Sequence, residues 1–391
     1  MPDEQELAIG GEAASLVAAG YPFVSLREAS GREPASGRVV RLVSPAGKWL
    51  AHAVADPGAG ILWTIAGREE RSFEEALAAR FAGALRAREA LFAGGATDAF
   101  CLFHGEGDGA SGLVLERFGK YGVLYVYSRA LLDVSELLAR LALEEAGLEG
   151  IVRKLRLKGK DREEEVHENW YGRKAPGRLE VREEGVPFEV HLPGALNVGL
   201  FTDMREIRRR FGALSRDRTV LNLFAYTGSF SVVAAKSGAS TTNIDLSSGA
   251  LGWAEDNFRL SGLDPKEHEF AVQDALHFLK GASRRGRTWE TVLVDPPTFS
   301  ESRRGGFVYK RDFPLLVRLS MEVLAPGGLL WLASNMRSLR PGSIDKWVGQ
   351  AAAELKRRID VLEVFGLPAD RPTPLSYPEG RYLHVLALRA S

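Results

Sequence analysis

The chain has almost no cysteine: of its 391 residues, only Cys101 carries a thiol. One thiol excludes an internal disulfide and any zinc site built from cysteines. An excess of charge is also missing, with Lys+Arg and Asp+Glu equal at 51 each. No global field draws the whole surface toward nucleic acid, so any such contact must come from local basic patches. Long apolar runs are lacking; the longest are strand-sized, short of what a bilayer-spanning helix requires. The opening segment MPDEQELAIG is acidic where a secretory signal would be basic. Neither an internal repeat nor a low-complexity tract is visible. These absences leave a cytoplasmic globular protein, with no metal and no membrane as partner. At this length two or three domains are expected.

The texture of what is present changes along the chain. Residues 38–43 alternate polar and apolar, Ser44-Pro45-Ala46-Gly47-Lys48 supplies a turn, and residues 49–54 resume the alternation. This predicts a small β-barrel over residues 1–72. From Phe73 to Phe92 apolar residues recur at helical spacing, with Ser72 as N-cap. Residues 100–127 return to strand character, broken by Gly105, Gly107, Gly109 and Gly112, and a second helix is predicted over 134–146. A basic run, RKLRLKGKDR from Arg153, meets an acidic one directly, and residues 181–191 form a hairpin pattern. Residues 73–192 thus make a mixed α+β middle domain. Beyond Val220 short apolar strands (VLNLF, TTNIDL, EFAVQD, TVLVDPP, LLWLAS) alternate with helical stretches. Continuous apolar strands of this kind belong to a parallel sheet covered on both faces. The expected fold for residues 193–391 is therefore α/β, a doubly wound sheet with its chemistry at the carboxyl ends of the strands.

Those strand ends carry a pattern. VLNLF runs into Ala225-Tyr226-Thr227-Gly228 and then a helix; a glycine there lets backbone approach a ligand closely. Alone this is an ordinary βα turn, not a full G-x-G-x-x-G fingerprint. About twenty residues on, the next strand ends in Asp245-Leu246, where a carboxylate can accept both ribose hydroxyls of an adenosine-type cofactor. The third ends in Gln273-Asp274-Ala275, suited to an adenine amino group, and the fourth in Asp295-Pro296-Pro297. Each acid alone is equally well a helix cap or a solvated loop residue; the four ends in this order are not so easily dismissed. A nicotinamide dehydrogenase would have a glycine-rich first turn and no Asp-Pro-Pro. The order is similar to that of class I methyltransferases, which take S-adenosylmethionine as cofactor. Where such enzymes modify nucleobases or amide nitrogens, [Asp/Asn]-Pro-Pro lies beside the transferred methyl. The prolines remove backbone donors and stiffen the turn, leaving carbonyls and the acid to face the acceptor.

Five stretches carry a closer resemblance: HGEGDGASGLVLERFGKYG from His104, VGLFTDMRE from Val198, LNLFAYTGSFSVVAA from Leu221, DPPTFSESRR from Asp295 and YPEGRYLHVLAL from Tyr377. Together they resemble the ribosomal RNA large-subunit methyltransferases built from a PUA domain, a central domain and a Rossmann-like class I methyltransferase domain. The resemblance implies that residues 1–72 are a PUA-like RNA-binding barrel. It implies that Phe201, Asp203 and Arg205 pack against the cofactor, and that Phe224, Tyr226 and Gly228 form the first turn above Asn222. Asp245 with Leu246 would take the ribose, Asp274 with Ala275 the adenine, and Asp295, Pro296 and Pro297 the catalytic turn. Plain core packing stays open for Phe224 and Tyr226.

One departure bears on mechanism. Cytosine-5 members of this family use a cysteine in the loop after the fifth strand to attack the base, because C5 alone is a poor nucleophile. Here that loop reads Ala333-Ser334-Asn335-Met336, and Cys101 lies in an apolar strand of the middle domain, as a small buried hydrophobe would. The LFTDMR, LFAYTGS, DPPTFS and SN segments resemble the branch that methylates guanine N7 of 23S rRNA, whose in-plane lone pair needs only in-line positioning. Basic residues cluster at Arg153-Lys154-Arg156-Lys158-Lys160, at Arg205-Arg208-Arg209-Arg210, at Arg284-Arg285-Arg287 and at Arg303-Arg304-Lys310-Arg311. Such runs are usually solvated faces. The last follows Asp-Pro-Pro, and there Phe299, Phe307 and Tyr309 could stack on an extruded base while Arg303, Arg304, Lys310 and Arg311 hold phosphates. Ribosomal RNA is thus the expected partner, with a homodimer open. Alternatives are cytosine-5 or exocyclic-amine methylation, a small-molecule methyltransferase with no use for a PUA-like domain, and a non-catalytic RNA-binding or assembly protein with no cofactor affinity.

Overall fold

The computed structural model describes residues 5–67, 71–157, 168–297, 299–300, 307–337, 339 and 342–391. The chain forms two compact units. Unit 1 comprises Met1–Gly185, Val190–Val198 and Pro368–Gly380; unit 2 comprises Val186–Glu189, Gly199–Leu367 and Arg381–Ser391.

Unit 1 begins with a six-stranded sheet ordered Phe23–Ser25, Ile61–Ile65, Trp49–Asp56, Val39–Val43, Glu6–Ile9, Ala29–Ser30. Its two edge strands are joined by the single turn Leu26–Glu28, which curls the sheet on itself. The alternation of residues 38–43 becomes burial: Val40 and Leu42 are fully enclosed with Leu7, Val24 and Leu62. A short helix, Gly11–Ala18, was not expected from the strand pattern. The helix Phe73–Phe92 opens with a reciprocal capping box, in which Glu75 N–H donates to Ser72 Oγ and Ser72 N–H to the Glu75 carboxylate. Its buried residues Phe73, Leu77, Phe81, Ala84 and Arg88 recur every three or four positions. They face a five-stranded sheet ordered Glu168–Gly172, Gly150–Leu155, Tyr121–Val126, Leu113–Phe118, Ala99–His104.

The boundary expected at residue 72 is not a gap between cores. Val54 and Ile65 of the first sheet share one cluster with Leu77, Phe103, Leu115 and Leu138. Pro368–Gly380, expected in the third domain, also belongs to unit 1. Arg88 donates to both Asp108 oxygens (2.9 and 2.6 Å) and to the Asp370 carbonyl (2.8 Å). Asp370 Oδ2 accepts Cys101 N–H, and His104 Nδ1 lies 2.8 Å from the Pro372 carbonyl. Gly107 must be glycine, since a Cβ would sit 1.8 Å from that same carbonyl. The HGEGDG motif is therefore a seat for a returning segment of chain.

Unit 2 is built on seven strands: β1 (Thr219–Leu223), β2 (Ser240–Asp245), β3 (Glu269–Val272), β4 (Trp289–Val294), β5 (Leu324–Ser334), β6 (Ile359–Phe365) and β7 (His384–Ala390). Their order is β3-β2-β1-β4-β5-β7-β6. The first five are parallel, and β7 is antiparallel to both neighbours. The apolar runs are continuous because successive residues enter different cores. Leu221, Val292, Leu330 and Leu386 join the cluster on one face; Val220, Leu293, Trp331 and Val385 join the cluster on the other. Each large side chain so enclosed contributes about 1.5–3 kcal/mol by leaving water. No helix among the described residues is long and apolar enough to cross a membrane.

Candidate active site

The β1 turn is held in an unusual backbone conformation. Phe224 (φ 61°), Tyr226 (φ 49°) and Gly228 (φ 73°) all lie in the left-handed region. For two aromatic residues this costs on the order of 1–3 kcal/mol each and persists only where the surroundings enforce it. They do so here: Ala225 N–H donates to the Ile244 carbonyl (3.0 Å), Gly228 N–H to the Ala225 carbonyl (2.9 Å) and Tyr226 N–H to Asp245 Oδ2 (2.9 Å). Asp245 Oδ1 accepts Ser247 N–H at 2.9 Å. Each carboxylate oxygen has one backbone donor and a lone pair left for a hydroxyl. Gly228 is needed for packing as well, because a Cβ would lie 2.8 Å from that of Ala254.

A second segment is pinned over this turn. Thr227 Oγ1 donates to the Gly199 carbonyl (2.5 Å), and Asn257 Nδ2 donates to the Thr227 carbonyl (2.8 Å). Gly199 (φ 109°) lies against the Trp253 ring, which a Cβ would meet at 2.3 Å. Burial pushes the Tyr226 hydroxyl up to about 12, against a hydrogen bond from the Gly199 backbone. Phe201 then lies 5.5 Å, ring centre to ring centre, from Tyr226, and Tyr226 lies 6.3 Å from Trp253. Gly199 and Trp253 were not singled out from sequence; the glycine inside VGLFTDMRE was the available signal.

The fourth strand end differs. The Asp295 carboxyl is pushed up to about 7, first by burial and then by the neighbouring Asp203 charge, while Arg208 works in the opposite direction. Asp203 Oδ2 accepts the Tyr382 hydroxyl at 2.8 Å. Pro296 is buried and Pro297 exposed. Val294 pairs with Leu332, so the Asp-Pro-Pro turn leaves β4 beside Ala333 and Ser334 of β5.

The structure brings Phe201, Tyr226, Asp245, Leu246 and Asp274 to one end of the sheet, and gives several expected contacts partners within the protein. Asn222 is buried and its amide donates to Ser231 Oγ (2.9 Å), a packing role. Arg205 is buried and paired with Glu206 (3.5 Å). Arg208 is enclosed too, donating to the Phe201 carbonyl (2.8 Å). The basic run from Arg205 therefore does not present four cations to solvent: Arg209 pairs with Glu206 and Arg210 with Glu363. Asp274 is exposed and caps the helix Ala275–Arg284 through His277 N–H (2.8 Å), with Ala275 buried behind it. Tyr309, expected to stack on a base, is 1% exposed and lies parallel to Phe313 at 4.5 Å in the core. Contrary to that expectation, the helix Tyr309–Glu322 starts with it, and Tyr309 takes the inward side of the first turn with Phe313 one turn on. Lys310 and Arg311 are exposed, Arg311 against Asp312. Arg303, Arg304 and the side chains of Phe299 and Phe307 lie outside the described residues.

A nucleoside fits this edge on two grounds. Leu246 (50%) and Val272 (58%) expose apolar side chains at the ends of β2 and β3, Phe201 (43%) exposes its ring beside Tyr226, and an aromatic base would cover such surface. Val272 is an addition that no sequence motif marked. The half-buried Asp295, which lies near a second acid, would gain from a cationic centre beside it. Among the described residues no group of three or more His, Cys, Asp or Glu could hold a metal ion.

A seven-stranded sheet of this order, with a ribose-type acid after β2 and Asp-Pro-Pro after β4, defines a class I methyltransferase. The comparisons agree. Residues 129–364 match the S-adenosylmethionine-dependent methyltransferase family, and the chain belongs to that family. It is 28% identical over 387 residues to YwbD of Bacillus subtilis, a ribosomal RNA large subunit methyltransferase by name, covering 96% of this chain and 97% of that one. It is 30% identical over 373 residues to ribosomal RNA large subunit methyltransferase I of Klebsiella pneumoniae, covering 90% of each. A solved methyltransferase structure complexed with SAH superposes with a TM-score of 0.86 at 25% identity, over 98% of this chain and 100% of that one. The protein is an S-adenosylmethionine-dependent enzyme.

Proposed function

We propose that the protein methylates a base of large-subunit ribosomal RNA, at guanine N7 of 23S rRNA, by direct transfer without a covalent enzyme–base bond. The observation that carries the direct mechanism is the edge between β4 and β5. Beside Asp295 it presents Ser334, whose Oγ accepts Met336 N–H, where a thiol would be needed for covalent activation. Cys101 cannot substitute: it is fully enclosed in a strand of unit 1, and burial pushes its thiol well above the usual range. The ribosomal substrate rests on the names of the relatives.

When bound, S-adenosylmethionine supplies an electrophilic methyl on a sulfonium. Asp245 would hold the ribose hydroxyls, Phe201, Leu246 and Val272 would flank the adenine, and Asp274 would approach its amino group. Asp295 would lie nearest the methyl. Guanine N7 would take the methyl on its in-plane lone pair, with sulfur keeping the electrons of the C–S bond; the purine would become cationic and lose no proton. No general base is required, so Asp295 in its ionised form stabilises charge rather than moving a proton. Lys310 and Arg311 would hold RNA phosphates, the curled N-terminal sheet would be the PUA-like RNA-binding element, and the reaction would take place in the cytoplasm.

The test is transfer from labelled S-adenosylmethionine to 23S rRNA, followed by borohydride reduction and aniline scission, which cut at N7-methylguanine. A single cut dependent on the protein is expected. Label on cytosine, or on an exocyclic amine without scission, would replace this reading with one of the alternatives.

A further inference from the structure

The curled sheet of unit 1 forms a cavity that no sequence motif marked. It lies where the turn Leu26–Glu28, the loop after Ala29–Ser30 and the turn between Trp49–Asp56 and Ile61–Ile65 meet, and its volume is about 290 Å³. Its walls are apolar, made by Leu26, Ala29, Pro34 and Pro57. These segments are fastened in place. Leu26 N–H donates to the Gly60 carbonyl (2.9 Å), Arg27 N–H to Ser25 Oγ (3.3 Å) and the Gln5 side-chain amide to the Arg32 carbonyl. Sites for small ligands span about 300–1,000 Å³, so this cavity has room for one heterocyclic base and none for a base pair. Three charged residues share the lining, Arg27, Arg32 and Glu33, and all are exposed. Among the described residues neither guanidinium has an ion pair or a side-chain hydrogen bond. Two neighbouring acids are engaged elsewhere: Glu28 accepts Ser25 N–H at 3.3 Å, and Glu6 pairs with Arg41 at 3.5 Å. Glu33 alone among the lining residues opposes the two arginines, so the rim is positive on a chain that is neutral as a whole. An apolar slot of this size beside uncompensated guanidinium groups suits a flat ring carried on phosphates.

We propose that this cavity takes a single unpaired nucleotide of the substrate RNA, with its base against the apolar walls and its flanking phosphates on Arg27 and Arg32. The inference rests on the reading of RNA as substrate, and gives the curled N-terminal sheet a defined contact within it. In a duplex the base faces are stacked on one another, so only an unpaired nucleotide can offer a face to Leu26, Pro34 and Pro57. Apolar walls carry no hydrogen-bond code, so the cavity accepts any of the bases. The contact anchors the RNA and leaves the choice of target base to the site at Asp295.

The experiment measures binding and methylation of a 23S rRNA fragment by the full-length protein. Combining Arg27→Ala with Arg32→Ala should weaken RNA binding about tenfold and lessen the slope of log K against log salt by about 1.4, the signature of two lost single-strand phosphate contacts. Affinity for S-adenosylmethionine, measured by calorimetry, should be unchanged, and Arg27→Lys with Arg32→Lys should keep the wild-type slope. Thiouridine placed in unpaired stretches of the fragment should cross-link to Leu26, Pro34 or Pro57, and the same fragment annealed to its complement should not. Wild-type RNA affinity in the alanine variant overturns the inference and leaves the substrate reading standing, as do cross-links that avoid these three residues. A free nucleoside monophosphate whose binding is lost in the alanine variant while RNA affinity stays unchanged would put a small ligand in the cavity and overturn it too. If the wild-type protein neither binds nor methylates the RNA, the substrate reading fails and this inference with it.

Discussion

Asp245 and Asp295 occupy equivalent places, each at or just beyond the carboxyl end of a parallel strand of one sheet, and the fold treats them in opposite ways. Asp245 is half-buried with a backbone N–H on each oxygen, from Tyr226 and Ser247. Asp295 is desolvated beside Asp203, and its carboxyl is pushed up to about 7. The first arrangement suits a group that binds uncharged hydroxyls and must not move. The second stores unfavourable electrostatics that a cation can relieve. The difference lies in what surrounds each strand end: β2 is followed by a turn that offers donors, β4 by two prolines that offer none.

The sharpest way to break this contrast is to remove the acid at the transfer point. Asp295→Ala should lower kcat/KM for methyl transfer by about 10²-fold or more, as loss of a preorganised charge does elsewhere. Retention of wild-type transfer, measured with labelled cofactor, would strip Asp295 of its role. Removing Asp245 should act on binding instead. Asp245→Ala should weaken cofactor affinity by about 10- to 100-fold in calorimetry, since hydrogen bonds to a charged group are worth about 1.5–3 kcal/mol. If Asp245→Ala lowers kcat while leaving affinity intact, the division of labour proposed for the two acids is wrong.

The pH dependence sharpens the contrast. The folded protein favours neutral Asp295, so the stability owed to this group is full below about pH 4 and is lost as pH rises through 7. Asp295→Asn should therefore raise the melting temperature at pH 8 and have little effect at pH 4. Cofactor binding carries the opposite sign, because a cation favours the ionised acid. Affinity should increase through pH 7, by at most about tenfold per unit below it. A flat profile between pH 6 and 8 would contradict this. The smallest effect should come from Cys101→Ala: unchanged transfer, and a loss of about 1 kcal/mol in stability from the trimmed buried side chain. A large loss of transfer would restore a covalent mechanism.

Much of unit 2 was legible in the sequence. Leu329–Ala333 is apolar without interruption, and Val220, Leu221 and Leu223 are all enclosed, because both sheet faces are covered. The acid at Asp245 and the turn at Asp295 follow from the same strands. Tyr309 was misplaced because helical phase decides whether a residue next to a loop faces solvent or core, and the loop before it gives no periodicity. The basic run at Arg205 was misleading for a similar reason: neighbouring arginines on a helix point to different sides, so Arg205 and Arg208 are enclosed while Arg209 and Arg210 are not. The segment Pro368–Gly380 could not be assigned to unit 1 from its own composition, since its partners Arg88, Cys101 and His104 lie more than 260 residues away in the chain.

The sequence by itself determined the parallel sheet, the order of acids along its strand ends and the lack of a thiol beside Asp295. These are local facts, written in strand periodicity and in which residue follows each strand. The tertiary structure alone decided which carboxylate is satisfied and which is left desolvated, which arginines are buried, and that Tyr382 reaches Asp203. Burial and through-space charge depend on segments distant in the chain, and those distances are set only when the sheet assembles.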